Sequence, residues 1–255
     1  MEITGYITQC VIKHKPIIFL KFGDGEYNCA FSNFGANCDQ DCYTSKLSLC
    51  IKQSFKYIVE NTDNTYIGMW HNIENTKKWE ELVNKKVNWS NYHSIIIDKK
   101  NNGEKLQLYK AIKNSNSKKI IVCNKLLTKS KILFNADHIV IVPFNNWFDN
   151  HFNDVVEQIK SLICKDENHI VITCCGMSAK VLITELIKTF SNGIYLDFGS
   201  ALDLICTKRD SRGREYDYTY LENLLSDLLP DNWNDTQFEY VYNEAKHKLG
   251  IHLPK

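Results

Sequence analysis

Short, continuous apolar runs recur along the chain, and they restrict its fold more than any other feature. Most are rich in β-branched residues without polar alternation, which is typical of strands covered on both faces. The runs cover residues 17–22, 65–70, 93–98, 118–123, 138–144, 169–175 and 193–198. Between them, residues 43–61, 152–164 and 177–190 carry apolar side chains at helical spacing. This alternation predicts an α/β fold with a Rossmann-like, mainly parallel sheet and helices on both faces.

The chain has no visible point of division. No internal repeat and no linker rich in proline, glycine or serine interrupts its 255 residues. We therefore predict a single domain over residues 1–255, with a core at about 15–205 and a helical C-terminal extension at about 217–255.

Composition excludes some classes of partner and location. The formal net charge of +1 provides no general attraction for a polyanion, so we predict no nucleic-acid partner. No apolar stretch approaches the ~20 residues that span a bilayer, so no membrane span is expected. The N-terminus lacks the features of a signal peptide, and the ten cysteines fit free thiols in a cytoplasmic protein.

The first candidate site is the segment KFGDGE, which begins at Lys21 and follows the first predicted strand. On extended backbone, Asp24 and Glu26 would point the same way and could reach one divalent ion. Mn²⁺ and Mg²⁺ prefer such oxygen ligands and leave positions free for substrate phosphates. The two neighbouring glycines allow close backbone approach. The alternative is an ordinary turn with a solvated glutamate.

Two further segments follow predicted strands and should lie on the same edge of the sheet, where ligands bind in such folds. Gly176 and Ser178 lie between a strand and a helix, so the helix N-terminus could bind an anion or simply connect the two elements. Asn146 could recognise a base or sugar edge, and Trp147 could stack on a ring or belong to the core.

A fourth segment follows the last predicted strand. Asp197 and Asp203 flank Ser200, and a carboxylate there could accept a proton from an acceptor hydroxyl. The alternative is a helix-capping role. A basic cluster follows, which could bind a diphosphate or be a solvated loop. It consists of Lys208, Arg209, Arg212 and Arg214.

Together these segments resemble the GT-D-type glycosyltransferases, a family first catalogued as a domain of unknown function. Lys21 to Glu26 resembles the R-F-G-D-G-E segment of that family, with lysine in place of arginine. Pro143 to Phe148 resembles its Pro-Asn-aromatic strand end, and Gly176 to Leu182 resembles its G-P-T-A-x-V-L-A turn. Leu196 to Gly199 resembles its "iDiG" strand end. The order agrees, and the resemblance covers about residues 15–205.

The resemblance implies a Rossmann-like fold and sugar transfer from a nucleotide-sugar, usually a UDP-sugar. It makes Asp24 and Glu26 the residues that hold Mn²⁺ or Mg²⁺ on the donor diphosphate. One position departs from the family, because Ser200 replaces a histidine that is a candidate base in bacterial members. Asp197, Asp203 or His71 could take that role. Lys21 also loses the bidentate phosphate recognition of arginine.

We therefore predict a metal-dependent glycosyltransferase that acts on a hydroxyl of a glycan or glycoprotein. Two alternatives stay open: a methyltransferase that uses S-adenosylmethionine, and a non-catalytic carbohydrate-binding relative. The sequence also leaves a homo-oligomer open. The predicted catalytic residues are Asp197, Ser200 and Asp203. The predicted donor-binding residues are Lys21, Phe22, Gly23, Gly25, Asn146, Gly176 and Ser178.

Overall fold

The fold is centred on one seven-stranded sheet. The computed structural model describes residues 2–32, 34–37, 39–69, 73–91, 95, 102–212 and 217–234. The strands are β1 (Ile17–Lys21), β2 (Thr65–Met69), β3 (Trp89–Asn91), β4 (Lys118–Cys123), β5 (His138–Ile141), β6 (His169–Cys174) and β7 (Ile194–Asp197). Their order in the sheet is β3-β2-β1-β7-β6-β4-β5, and all neighbouring strands are parallel. The predicted α/β class with a parallel sheet is confirmed.

Helices connect the strands and cover the sheet. The longer helices are α1 (Ile3–Ile12), α2 (Asp24–Phe31), α3 (Ser45–Asn61), α4 (Ile73–Glu80), α5 (Asn102–Asn114), α7 (Trp147–Leu162) and α8 (Ala179–Ile187). The shorter ones are α6 (Ser130–Leu133), α9 (Asp203–Thr207) and α10 (Tyr218–Leu224), with 3₁₀ turns at Lys125–Leu127 and Ser226–Leu228. No helix in the described part of the chain is long and apolar enough to cross a bilayer.

The sheet separates two apolar clusters. On one face Phe22 packs edge to face against Phe55 and Trp79, with ring centroids 5.1 and 5.0 Å apart. On the other face Tyr109 and Phe134 pack together at 5.0 Å. Because both faces are covered, central strands such as β4 and β6 are mostly buried and apolar, as the sequence predicted.

Most of the predicted elements agree with the structure to within a few residues. The run predicted at 93–98 lies, except for Ile95, outside the described residues, and the edge strand β3 was not predicted. Helix α7 begins at Trp147 and not at residue 152. The segment after β1 differs in kind, because α2 begins at Asp24 where the sequence analysis assumed extended backbone.

The strand order creates a switch point beside β1. The chain builds outward from β1 through β2 to β3, continues in the other half with β4, β5 and β6, and returns to insert β7 next to β1. In open parallel sheets, the crevice at such a point, beyond the carboxyl ends of the strands, is where ligands bind. The predicted site segments after β1, β6 and β7 all end there.

Candidate functional site

Helix α2 begins directly after β1 because its first turn is well capped. Glu26 Oε2 accepts a hydrogen bond from the backbone N–H of Gly23, the residue that precedes the helix, at 2.9 Å. Acidic side chains are also favoured near the positive end of the helix dipole. The assumption that Asp24 and Glu26 lie on extended backbone is therefore wrong. Side chains two positions apart on a helix do not face each other, so Asp24 is exposed while Glu26 is 4% exposed.

Lys180 is the centre of the site, and the sequence analysis did not assign it a role. It lies on α8, and its side chain is 1% exposed. The ammonium forms ion pairs with Glu26 Oε1 and with Asp197 Oδ2, the latter at 2.8 Å, and donates to the carbonyl of Gly176 at 3.4 Å. A lysine ammonium has three donors, and these contacts provide an oxygen acceptor for each.

The charges in this cluster stabilise one another. Burial alone would raise the pKa of Glu26, but the charges of Lys180 and Lys21 outweigh it and lower that pKa to about 2. Burial would lower the pKa of Lys180, but Asp197 and Glu26 reverse the effect and raise it. Glu26 and Lys180 are therefore both ionised at neutral pH.

Asp197 connects β7 to this cluster. Its Oδ2 atom accepts from the backbone N–H of Lys21 at 3.2 Å as well as from Lys180, and its Oδ1 atom accepts from the N–H of Gly199 at 3.1 Å. The residue is 0% exposed. As placed, it orients the ends of β1 and β7 and has no exposed surface to meet an acceptor hydroxyl. Its predicted catalytic role stays a prediction.

The loop after β7 requires an unusual backbone conformation. Gly199 has a φ of +51°, and a Cβ at this position would lie 2.8 Å from Lys21 Nζ. A side chain there would be strained and would displace the lysine. The Lys21 ammonium therefore lies over this loop. Its assignment to a donor site stays a prediction.

Ser200 and Asp203, the other predicted catalytic residues, follow in the same loop. They are 8% and 9% exposed, and Asp203, at the first position of α9, accepts a hydrogen bond from Ser211. In the basic cluster, Arg212 donates to Asp39 Oδ2 at 2.7 Å. Arg214 and His71 lie outside the described residues.

A polar loop before α3, which the sequence analysis did not single out, lies against the site. Asn37 Oδ1 accepts from the backbone N–H groups of Asp39 and Asp41, each at 2.9 Å. Asp41 Oδ1 accepts from the N–H of Asn146 at 2.6 Å, and Gly176 leaves room for the other oxygen, because a Cβ there would lie 2.6 Å from it. The spacing N-x-D-x-D, which is typical of side-chain-stabilised turns, was the available signal.

The acidic side chains of this loop crowd one another. Burial and the charge of Asp41 raise the pKa of Asp39 to about 6, although the charges of Lys21 and Lys180 act in the opposite direction. Burial also raises the pKa of Asp41, against the hydrogen bond from Asn146, which lowers it. Asp39 thus exchanges a proton closer to neutral pH than an ordinary aspartate does.

Several predicted donor-binding residues have structural roles here. Phe22 is 0% exposed and belongs to the aromatic cluster, and Ser178 is 2% exposed. Asn146 has a φ of +52° and accepts from the N–H of Cys42 at 2.8 Å, so it holds the polar loop in place. Trp147 is 1% exposed and donates to the carbonyl of Cys175 at 2.9 Å, so it belongs to the core.

The other two glycines differ in their surroundings. A Cβ at Gly25 would lie 3.4 Å from the Cβ of Asn37, so α2 and the polar loop approach each other closely. Gly23 is buried and donates to Glu26. Both positions therefore help to bring the polar loop and α2 to the crevice.

The residues as placed do not fit a divalent ion held jointly by Asp24 and Glu26. The two side chains leave α2 on different sides, and the ammonium of Lys180 already contacts the Glu26 carboxylate. Across the described ranges, no three His, Cys, Asp or Glu side chains are arranged to hold a metal ion. The metal assignment from the sequence stays a prediction.

A parallel sheet with charged side chains converging at its switch point defines a Rossmann-like α/β protein with a polar crevice. Two solved structures share its fold. One is described as the highly conserved domain of unknown function 1792 with a distinct glycosyltransferase fold, at 17% identity and a TM-score of 0.52, covering 79% of this chain and 83% of the other. The second, a selenomethionine structure of the same domain, has 17% identity and a TM-score of 0.53, covering 78% and 81%.

These comparisons establish a glycosyltransferase fold. They confirm, at the level of the fold, the resemblance to the GT-D-type family that the sequence motifs indicated. No protein-family model matches the chain, and no curated protein matches it.

Proposed function

We propose that this chain is a glycosyltransferase that transfers a sugar from a nucleotide-sugar, with a UDP-sugar as the expected donor, to a hydroxyl of a glycan or glycoprotein. The observation that carries the proposal is the cluster of Lys180, Glu26 and Asp197 at the switch point of a glycosyltransferase fold. The UDP-sugar and the acceptor class come from the sequence resemblance.

The donor diphosphate has a complementary group at the mouth of the crevice. In sugar transfer the leaving nucleoside diphosphate gains negative charge in the transition state, and a cation positioned beforehand stabilises that charge. Lys21 is half-buried there, and its backbone is fixed by the hydrogen bond to Asp197. Its ammonium is the group that we assign to the diphosphate.

Transfer also requires that the acceptor hydroxyl lose a proton. We assign this role to Asp39, because a base with a pKa of about 6 is ionised at neutral pH and still accepts a proton readily. Its side chain is 19% exposed. Asp203 and Ser200, predicted from the sequence, lie in the loop after β7 and remain the alternatives for the contact with the acceptor.

The metal dependence expected from the resemblance is part of what must be tested. Mn²⁺ or Mg²⁺, when bound, would neutralise diphosphate charge. Because Asp24 and Glu26 do not fit one ion together, no step of this mechanism depends on it.

The proposal can be tested with a panel of nucleotide-sugars, measuring binding by calorimetry and hydrolysis of the donor, with Mn²⁺ and with EDTA. We expect a UDP-sugar to bind and the variant Lys21→Met to bind about 10- to 100-fold more weakly, the value of a charge-assisted contact. Lys188→Met removes an exposed lysine from the end of α8 and serves as the matched control.

Three results would contradict the proposal. The first is unchanged UDP binding by Lys21→Met. The second is binding of S-adenosylmethionine with no binding of any nucleotide-sugar, which would indicate a methyltransferase. The third is binding of oligosaccharides with no binding or hydrolysis of nucleotide-sugars, which would indicate a non-catalytic relative.

A further inference from the structure

The surroundings of the Lys180 ammonium are those of a cation site. Oxygens of Glu26 and Asp197 and the carbonyl of Gly176 surround it, and they come from α2, β7 and the turn after β6. Carboxylate and carbonyl oxygens are also the ligands that Mg²⁺ and Mn²⁺ prefer. Glu26, Asp197 and Gly176 thus form an oxygen cage, and the Lys180 ammonium occupies it.

A divalent ion ligated by Glu26 would have to share this space with the ammonium. The side chains of Lys180, Glu26 and Asp197 are 1%, 6% and 1% exposed, so little water is available to screen the repulsion between two cations. Glu26 Oε2 is already held by the N–H of Gly23. A divalent ion therefore cannot bind Glu26 while the Lys180 ammonium is in its present position.

We propose that Lys180 is the resident cation of this site, and that Glu26 and Asp197 are its counter-ions and not metal ligands. The donor diphosphate then binds without a divalent ion on Glu26. The inference rests on the proposed function only for the identity of that donor. Lys180 is a positioning residue, because it holds the starts of α2 and α8 and the end of β7 in one arrangement.

The proposal makes a prediction that a purely structural role would not. If the cage is a cation site, removing the lysine side chain leaves Glu26 and Asp197 facing a vacated space. Lys180→Ala should then acquire a Mn²⁺ site that the wild-type chain lacks. A lysine that served only to stabilise the fold would leave a destabilised chain without any response to Mn²⁺.

The first experiment needs no change to Lys180. The melting temperature of the 255-residue chain is measured with MnCl₂ and with EDTA, without nucleotide, for the wild type and for Glu26→Gln. We expect no shift with Mn²⁺ in either chain. A rise in the wild type that Glu26→Gln abolishes would overturn the proposal.

The second experiment compares Lys180→Ala with Lys188→Ala, which removes an exposed lysine at the end of the same helix. For Lys180→Ala we expect Mn²⁺ at about 100 times its Kd to raise the melting temperature by about 5 to 10 °C, and no rise for Lys188→Ala. If Lys180→Ala folds only when Mn²⁺ is present, the proposal is supported equally. A variant that does not respond to Mn²⁺, folded or unfolded, contradicts it.

UDP binding separates this inference from the proposed function. Lys180→Ala should bind UDP at least about tenfold more tightly with Mn²⁺ than with EDTA, while the wild type should differ by less than about threefold. If the wild type binds no UDP or UDP-sugar under any condition, the proposed function fails. The two experiments with Mn²⁺ alone still decide the role of Lys180.

Discussion

Replacing Lys180 with methionine tests the energetic weight of the buried cluster. The two side chains are similar in length and volume, so the change removes the charge without opening a large cavity. It leaves Glu26 and Asp197, 4% and 0% exposed, without their shared counter-ion. Breaking a buried ion pair by removing one partner costs about 3–5 kcal/mol.

The same magnitude follows from proton binding. Without Lys180, burial forces the Glu26 carboxyl towards its neutral form, whereas in the unfolded chain it has its ordinary pKa of 4.5. Keeping one such group neutral at pH 7 costs about 3 kcal/mol. Because the pKa of Glu26 in the folded variant would then be raised, the loss of stability is present at pH 7. It disappears as the pH falls to 4.5, the pKa of Glu26 in the unfolded chain. The wild type has no such loss, since Glu26 is ionised there in both states.

Urea denaturation at pH 7 and at pH 4.5 measures the effect. We expect Lys180→Met to lower the free energy of unfolding by about 3–5 kcal/mol at pH 7, which corresponds to about 10 °C in melting temperature. At pH 4.5 this loss of free energy should be smaller by about 3 kcal/mol. The control Lys188→Met, from an exposed pair, should change it by less than about 1 kcal/mol. A loss below about 1 kcal/mol at pH 7, or one that does not depend on pH, would refute the reasoning.

Two further predictions concern single residues of the site. Because the pKa of Glu26 is lowered from 4.5 to about 2, its contribution to stability is present above pH 4.5 and is lost as the pH falls to 2. Over that interval the free energy of unfolding should drop by about 3 kcal/mol more in the wild type than in Glu26→Gln. Equal dependence on pH in the two chains, measured by acid titration, would contradict this. Gly176→Ala places a Cβ 2.6 Å from Asp41 Oδ2 at a φ of +74°, and it should lower the free energy of unfolding by about 1–3 kcal/mol in urea denaturation. The control Gly103→Ala, with no atom within 4 Å of its Cβ, should not lower it. Equal effects of the two changes would contradict this account of the packing at Gly176.

The sheet could be predicted because its signal is local. Strands buried on both faces must be apolar at every position, and runs such as 118–123 and 169–175 have no other simple explanation. Parallel pairing then brings the strand exits to one edge, so the location of the site followed as well. The edge strand β3 lacks such a run, which explains why it was missed.

The start of α2 could also have been predicted, because its signal is local too. Glycine is among the residues favoured immediately before a helix, and a glutamate three positions later can accept from its N–H, as Glu26 does from Gly23. Interpreting the two glycines as a turn and the acidic pair as ligands requires extended backbone instead. That assumption set the directions of Asp24 and Glu26 incorrectly.

By itself, the sequence determined the α/β class, the parallel sheet and the edge at which polar residues collect, because these depend on hydrophobic burial and on neighbours along the chain. Only the tertiary structure decided that Lys180 lies between Glu26 and Asp197, and that Asp41 contacts Asn146, 105 positions later in the chain. Residues far apart in the chain meet there, and the charge of a buried group depends on which partner it meets. The sequence around a lysine on an apolar helix face does not show whether its ammonium is exposed to solvent or is the cation of a buried site.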